Sequence, residues 1–509
     1  MRDSSVPSSS TGILVIGGGP GGAYAAAALA REGFQVTVLE KDYFPRYHIG
    51  ESLLASCRAL LRFIDAEAKI DDFGFALKVG AAVKLNQEKR EGYIPFKPTA
   101  WNVLRSEFDQ ILLQHAAESG ASVHEGISVQ AIKFSSENPD PDKPIAAEWK
   151  SKDGMTGKID FSWLVDASGR NGIMSTKYLK NRKFNHSLKN VAVWGYWSGA
   201  NVYSEGTDRE NAPWFEGLTD ETGWAWFIPL HNGTVSVGIV QSETSSRAKK
   251  SKLSGVDSTM EAHYHSQIQL APGVFNLLGN AHFLGDLKSA ADYSYSASQY
   301  AGTNYRIVGD AGAFIDPFFS SGVHLAFSGA LEAILVHNER TSVSYTRFLL
   351  VVLAIYKQIN SQASAILSDV NEDNFDRAFD FLRPIVQGAA DTDPSVTDVV
   401  VQRTIDFLAP AFGTTRPELL EKVSKRLDPS LLASDGDILA PNAVNAIAGN
   451  DDEANRVLRM VNSRKAMHFI SDWETCQMEK SNGFAVVLKR GELGLQREDA
   501  EKQVAMACD

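Results

Sequence analysis

The sequence predicts an α/β fold with three parts: a parallel-sheet nucleotide-binding module, an antiparallel sheet inserted into it, and a helical last third. Three observations carry this. An apolar run at 12–16 ends in Gly17-Gly18-Gly19-Pro20-Gly21-Gly22, and an alanine-rich stretch and a second apolar run follow it. Apolar and polar residues alternate through 190–199 and 223–241. Beyond about residue 336, apolar residues fall at helical spacing, as in Phe375, Phe379 and Leu382 or Val457, Met460 and Val461.

Residues 12–16, 23–31 and 35–39 read as strand, helix and strand, the βαβ unit of a Rossmann-type domain. Gly17, Gly19 and Gly22 form G-x-G-x-x-G, with Gly18 and Gly21 completing the loop. The first glycine permits the tight turn, the second lets a pyrophosphate approach the backbone, and the third lets helix and strand pack closely. The helix N-terminus then presents free N–H groups to phosphate. Glu40 ends the second strand, where a carboxylate can accept hydrogen bonds from ribose hydroxyls. A strand before the loop and a helix after it make this a dinucleotide site.

An amphipathic helix follows at 108–119. A Ser-, Pro- and Asp-rich loop spans 135–144, with a strand at 162–166 beyond it. The alternation at 190–199 and 223–241 predicts an antiparallel sheet with one face covered. A short strand at 306–310 leads through glycine turns to a helix containing Ala326 and Ala330. The expected organisation is a disordered Ser-rich tail over 1–11, a module over 12–335 with the insert at about 190–295, and a mostly helical region over 336–509 covering the substrate pocket. The run at 348–356 is too short to span a bilayer and reads as a buried helix.

Net charge is -12, from 62 acidic and 50 basic residues, which argues against nucleic acid or an anionic membrane as partner. Cys57, Cys476 and Cys508 show neither metal spacing nor a disulfide framework, so no metal is expected and the compartment is reducing, hence cytoplasmic. The N-terminal residues lack the apolar core of a signal peptide. Trp224 and Trp226, two apart on a strand, point to one face and by themselves read as core aromatics.

Taken together, other segments give those tryptophans a second meaning. Val308-Gly309-Asp310-Ala311-Gly312 resembles the second FAD fingerprint of the aromatic hydroxylase superfamily, whose aspartate binds the ribityl chain. Arg105 matches that superfamily's arginine at a helix start, expected near the flavin or its phosphates; the alternative is a surface arginine paired with Glu107 or Asp109. Trp224-Ala225-Trp226-Phe227-Ile228-Pro229 resembles the W-x-W-x-I-P string of the flavin-dependent halogenases. Pro45 to Ser52 is similar to their P-R-x-x-x-G-E-S segment, which wraps the flavin and brings Arg46 and Glu51 to it. Asp316-Pro317-Phe318-Phe319-Ser320-Ser321-Gly322-Val323 resembles their halide segment. That likeness implies halide at the backbone of Ser321 and Gly322, with Val323 on the cofactor side. An ordinary helix-capping turn is compatible with this.

The resemblance implies an α/β, Rossmann-type FAD-binding domain of the aromatic hydroxylase superfamily. It implies FAD supplied as FADH2, molecular oxygen, and chloride or bromide. In that family a flavin C4a-hydroperoxide is attacked by halide, giving hypohalous acid, while the tryptophan pair bars the substrate from the flavin. One lysine then holds the oxidised halogen. Phe75-Ala76-Leu77-Lys78-Val79-Gly80-Ala81 is similar to the fungal phenolic pattern K-x-G-A-x and assigns Lys78, with Lys84 and Lys89 as neighbours that could take its place. Tryptophan halogenases carry a glutamate two residues before the Ser/Thr of the halide segment. Phe319 stands there in this chain, which points to phenol-type or pyrrole-type substrates.

In Val165-Asp166-Ala167-Ser168-Gly169-Arg170 the Asp and Gly are separated, unlike the adjacent pair of single-component hydroxylases. No second dinucleotide loop is evident, which implies a separate flavin reductase. The expected activity is chlorination of a phenolic secondary metabolite, free or carrier-bound. The rivals are a single-component flavin monooxygenase, a non-catalytic flavin-binding subunit, and a reductive dehalogenase.

Overall fold

The computed structural model describes residues 6–87, 90–135, 143–252, 259–332, 337–360 and 385–388, with short stretches between 423 and 497. In chain order, β1 (Ser10–Ile16), α1 (Pro20–Arg31) and β2 (Val36–Glu40) open the fold. Next come α2 (Ser56–Phe63), α3 (Glu67–Phe73), β3 (Ala76–Lys84), β4 (Gly92–Asn102), α4 (Arg105–Glu118) and β5 (Ser122–Glu125). A meander of β6 (Ile127–Phe134), β7 (Pro144–Ser151) and β8 (Thr156–Asp166) leads to β9 (Arg182–Ser198), β10 (Trp214–Gly217), β11 (Gly223–Pro229) and β12 (Thr234–Ser242). After α5 (Glu243–Lys250), α6 (Met260–Ile268) and α7 (Pro272–Leu278) the chain returns in β13 (His282–Phe283), β14 (Lys288–Ala297) and β15 (Tyr305–Ile307). α8 (Gly322–Glu332) and α9 (His337–Ile359) follow.

The first sheet runs β5-β2-β1-β8-β7-β6. β1 lies parallel to β2 and β8, and β15 runs parallel to the last residues of β8. This is the predicted Rossmann core. Gly22 shows why the loop needs glycine: a Cβ there would lie 1.9 Å from the Gly17 carbonyl oxygen. The tail ends sooner than residue 11, because Ser10 and Thr11 already belong to β1 and Thr11 is buried against Thr37.

The second sheet runs β13-β9-β12-β11-β10-β3-β4, with β14 beside β9. It is not a single insert at about 190–295. It starts at Arg182 and recruits β3 and β4 from far upstream, and β10 pairs with β3 in parallel. The sequence pattern also misstates its exposure: every residue of β11 is buried. One face, with Trp224, Trp226 and Ile228, joins the core shared with α1 and α9. The other, with Ala225 and Phe227, packs on Tyr264, Ile268, Val274 and Leu278 of α6 and α7, helices that cover the side expected to meet solvent.

The apolar run of α9 is buried as predicted, at Phe348, Val351, Val352 and Ile355. Among the described residues no helix is long and apolar enough to cross a membrane, and no cluster of side chains could hold a metal. The last third is not helical throughout. A helix at Pro441–Ala448 is accompanied by three short antiparallel strands, Lys480–Ser481, Phe484–Val487 and Gly494–Arg497. Val457 is buried and helical, whereas Phe375, Phe379, Leu382, Met460, Val461, Cys476, Cys508, Lys89 and most of the 135–144 loop lie outside the described residues.

Trp226 and Gly238 stand opposite each other on β11 and β12, and the indole lies across the glycine. A Cβ at Gly238 would come within 2.1 Å of the Trp226 ring. Gly238→Ala is therefore expected to cost about 1–3 kcal/mol of stability through overpacking. A urea midpoint equal to that of the parent protein would show that the ring moves aside freely.

Candidate active site

The loop after β1 feeds α1, whose N-cap Gly19 supplies no side-chain bond, so the first helical N–H groups stay available to a phosphate. Glu40 shapes that loop. Its Oε2 accepts the Gly18 N–H at 2.6 Å and its Oε1 the Asp42 N–H at 2.8 Å, leaving further lone pairs for ribose. Arg46 reaches the loop from the opposite side: its Nη2 lies 3.4 Å from the Cβ position of Gly19. Its Nη1 donates to Asp109 at 2.8 Å. Gly21 packs toward Val308 and Ala326, which brings α1, the strand end at 308 and α8 together.

Arg105 is not a surface residue. It is buried and bidentate to Asp109, at 2.7 and 3.0 Å, and its Nη1 donates to the carbonyls of Ile49 and Gly50 at 2.8 and 3.3 Å. Burial would raise the Asp109 acid range, but the Arg105 and Arg46 guanidiniums outweigh that and hold it below the usual value. Arg105 thus fixes the backbone of the segment carrying Glu51.

Asp310 fits a flavin ribityl chain by its own need. Its carboxylate finds no hydrogen-bond donor among the described residues, and burial raises its acid range against the opposing fields of Arg170, Arg105 and Arg182. Asp166, by contrast, is spent on local structure, accepting from the N–H groups of Ser168 and Met174.

Glu51 is buried and accepts the Tyr196 hydroxyl at 2.6 Å, while the Ser236 hydroxyl lies near its carboxylate without a hydrogen bond of good geometry to Oε2. Burial pushes its acid range up to about 7. Tyr196 shares a hydrogen bond with Tyr47, which accepts the Trp194 indole N–H at 2.6 Å.

Lys78 leaves β3 into the core. Its Nζ donates to the Leu53 carbonyl at 3.0 Å and lies 4.6 Å from the centroid of the Phe96 ring, with no carboxylate beside it among the described residues. Burial lowers its range from 10.5 to about 7, so near neutrality much of the amine is uncharged. The neighbouring Cys57 is buried as a free thiol and is pushed up to about 12 by burial. Lys84 is half-buried at the other end of β3.

The halide segment turns on Asp316. Its Oδ1 accepts the Phe318 N–H at 3.1 Å, and its Oδ2 accepts Asn190 at 3.0 Å and the Tyr356 hydroxyl at 2.7 Å. Tyr356 in turn accepts the Trp224 indole N–H at 2.8 Å. Ser320 then takes a left-handed conformation, φ 58°, and Ser321 precedes α8. Nothing lies within 4 Å of the Cβ position of Gly322, so the first turn of α8 opens on space. Val323 is buried in that turn.

Trp224 and Trp226 both lie in the interior, their ring centroids 5.8 Å apart, with Phe318 edge-on to Trp224. Ser56 Oγ and His324 Nδ1 share a hydrogen bond of 2.9 Å, which ties the helix beside Lys78 to the helix at the halide segment. Asn190, Tyr356 and Ser56 carry no motif, and spacing does not reveal them.

Known proteins resemble this chain along nearly its whole length. A family model described as tryptophan halogenase matches residues 12–100 and 86–359. Flavin-dependent halogenase armH1 of Armillaria mellea is 53% identical over 521 residues, covering 97% of this chain and 99% of that protein. Sulochrin halogenase gedL of Aspergillus terreus is 42% identical over 545 residues, covering 99% and 96%. Among solved structures, the flavin-dependent halogenase CmlS shares the fold, with a TM-score of 0.63 at 23% identity over 82% of this chain and 78% of that one. With a family model matched over most of its length and near full-length similarity to such enzymes, the chain belongs to the tryptophan-halogenase family and is a flavin-dependent halogenase.

Proposed function

We propose that this halogenase acts on a phenolic secondary metabolite, free or carrier-bound, by electrophilic aromatic substitution. One observation carries the phenolic reading: the halide segment holds no base. Phe319 is apolar and buried, and Asp316, the acidic side chain of the segment, is committed to Phe318, Asn190 and Tyr356. The substrate must then supply its own activation, as a phenol does by losing its hydroxyl proton. The relative that halogenates sulochrin supports a small-molecule substrate.

Reduced FAD, with oxygen and chloride or bromide, supplies hypohalous acid. The chain's residues do the rest. Gly17, Gly18, Gly19, Gly21, Gly22, Glu40 and Arg46 hold the dinucleotide, and Asp310 takes the ribityl hydroxyls. Ser321 and Gly322 offer backbone N–H groups to halide at a helix start. Glu51 holds or releases a proton close to neutral pH at Oε2. Trp224 and Trp226 wall the substrate off from the flavin. Lys78 uses its neutral nitrogen lone pair to take the oxidised halogen and present it to the ring. Single-component hydroxylation is not favoured, since the described fold has one dinucleotide loop; a separate flavin reductase, in the cytoplasm, completes the system.

Four outcomes test this. The purified, FAD-loaded protein should not oxidise NADH at a useful rate until a flavin reductase is added, and fast oxidation by the protein alone would point to a monooxygenase. Lys78→Met should lower product by about a thousandfold, about 4 kcal/mol of barrier, while flavin reoxidation continues. In the parent enzyme the product formed per flavin oxidised should rise as pH climbs through about 7, because the amine is protonated below that range; a flat profile counts against the neutral amine. Finally, phenols should be halogenated ortho or para to the hydroxyl and their methyl ethers far more slowly. Ethers reacting as fast as phenols, or free tryptophan reacting faster than any phenol, would overturn the substrate class.

A further inference from the structure

Asn102 ends β4 in an unusual condition. Its side chain is fully buried, yet among the described residues neither its amide nitrogen nor its amide oxygen has a hydrogen-bond partner. The Ser52 hydroxyl, also buried, is equally unpartnered. Buried polar groups are nearly always paired, so unpaired ones mark a site that something else completes.

The strand register puts these groups beside Lys78. Ser52 and Asn102 form an antiparallel bridge, so their side chains leave the same face. Asn102 also stands opposite Ala76 on β3, and Lys78, two residues further, stands opposite Ala100. Alternate residues share a face, so Lys78, Asn102 and Ser52 line one strip. Ala100 is too small to block the amine, and Lys78 Nζ reaches across to the carbonyl of Leu53, the residue after Ser52. Three unpaired polar atoms thus share a strip with an amine whose own surroundings are Phe96, Leu53 and Cys57.

We propose that Asn102 and Ser52 form a binding site for hypohalous acid, which they hold with its halogen toward the Lys78 nitrogen. The inference rests on the halogenase reading and on Lys78 as its amine. Asn102 Nδ2 donates to the hypohalous oxygen, and Asn102 Oδ1 or Ser52 Oγ accepts its O–H. The amine lone pair forms the N–X bond as the O–X bond breaks. The departing hydroxide, held by Asn102, takes one amine proton and leaves as water, so that amine and hypohalous acid give N-haloamine and water. Without this hold the oxidant could drift past the lysine.

The test uses the FAD-loaded enzyme with flavin reductase, NADH, bromide and a phenol, with taurine in solution to trap oxidised bromine that escapes. Asn102→Leu keeps the shape and removes the amide. It should leave FAD binding and flavin reoxidation unchanged, lower the product per flavin oxidised about tenfold, and raise brominated taurine to match. Its urea midpoint should equal or exceed that of the parent, since the parent amide gains no bond from the protein. Ser52→Ala should shift the partition in the same direction by a smaller factor. If Asn102→Leu and Ser52→Ala both partition as the parent does while Lys78→Met is inactive, the site holds only water and the inference fails alone. If Lys78→Met itself keeps its product yield, the reading of Lys78 has failed instead.

Discussion

A single buried carboxylate sets the geometry of the catalytic half. Asp316 accepts a backbone N–H that starts the halide turn, the Asn190 amide of β9 and the Tyr356 hydroxyl of α9. Its own N–H is held by Ser294 of β14, and Tyr356 passes the connection on to Trp224. One side chain thereby registers the second sheet, the turn before α8, the Trp224 strand and a late helix against one another. All are dry, so removing the carboxylate would strand several donors at about 1–3 kcal/mol each. That is the reason an aspartate, and not a smaller cap, begins this segment.

The cations of the site divide by whether a counter-charge accompanies them. Arg46 and Arg105 share Asp109 as a counter-charge, and Arg105 braces the backbone at Ile49 and Gly50. Lys78 has a carbonyl and an aromatic ring and no carboxylate, which leaves its nitrogen free to lose a proton. That freedom has a thermodynamic sign. With the folded range lowered from 10.5 to about 7, the unfolded chain binds the extra proton between those values. This group's contribution to stability therefore rises with pH across that window. The fold gives up free energy at neutral pH to hold this amine in a buried setting.

Much of this was legible in the sequence because it is local. The glycine loop and Glu40 follow from turn geometry within a few residues, Asp310 stands out through a short stretch that resembles a known fingerprint, and the apolar neighbours of Lys78 foretold its burial. The long-range partners were not legible. Nothing near Trp224 announces Tyr356, 132 residues away, nor does β10 announce that it pairs with β3. The alternation of β11 correctly gave a strand but not its surroundings, because α6 and α7 bury the face that pattern reserves for water. Arg105 was read with an open choice of partners; the buried Asp109 decides it, one helical turn along α4.

The four residues Ile385 to Gly388 lie beyond residue 359, where the family match ends, yet they are wedged into the centre. Gln387 donates to the Pro95 carbonyl, and its own carbonyl accepts the Ser56 N–H. Gly388 sits so close to the Ser56–His324 pair that a Cβ would fall 2.5 Å from the serine oxygen. A boundary of sequence similarity is thus not a boundary of folding. The late chain works as a clasp on the early chain, and a chimera that exchanged the C-terminal region between halogenases to change their substrates would inherit a working centre only if the new region carried its own clasp, with a glycine at its tip.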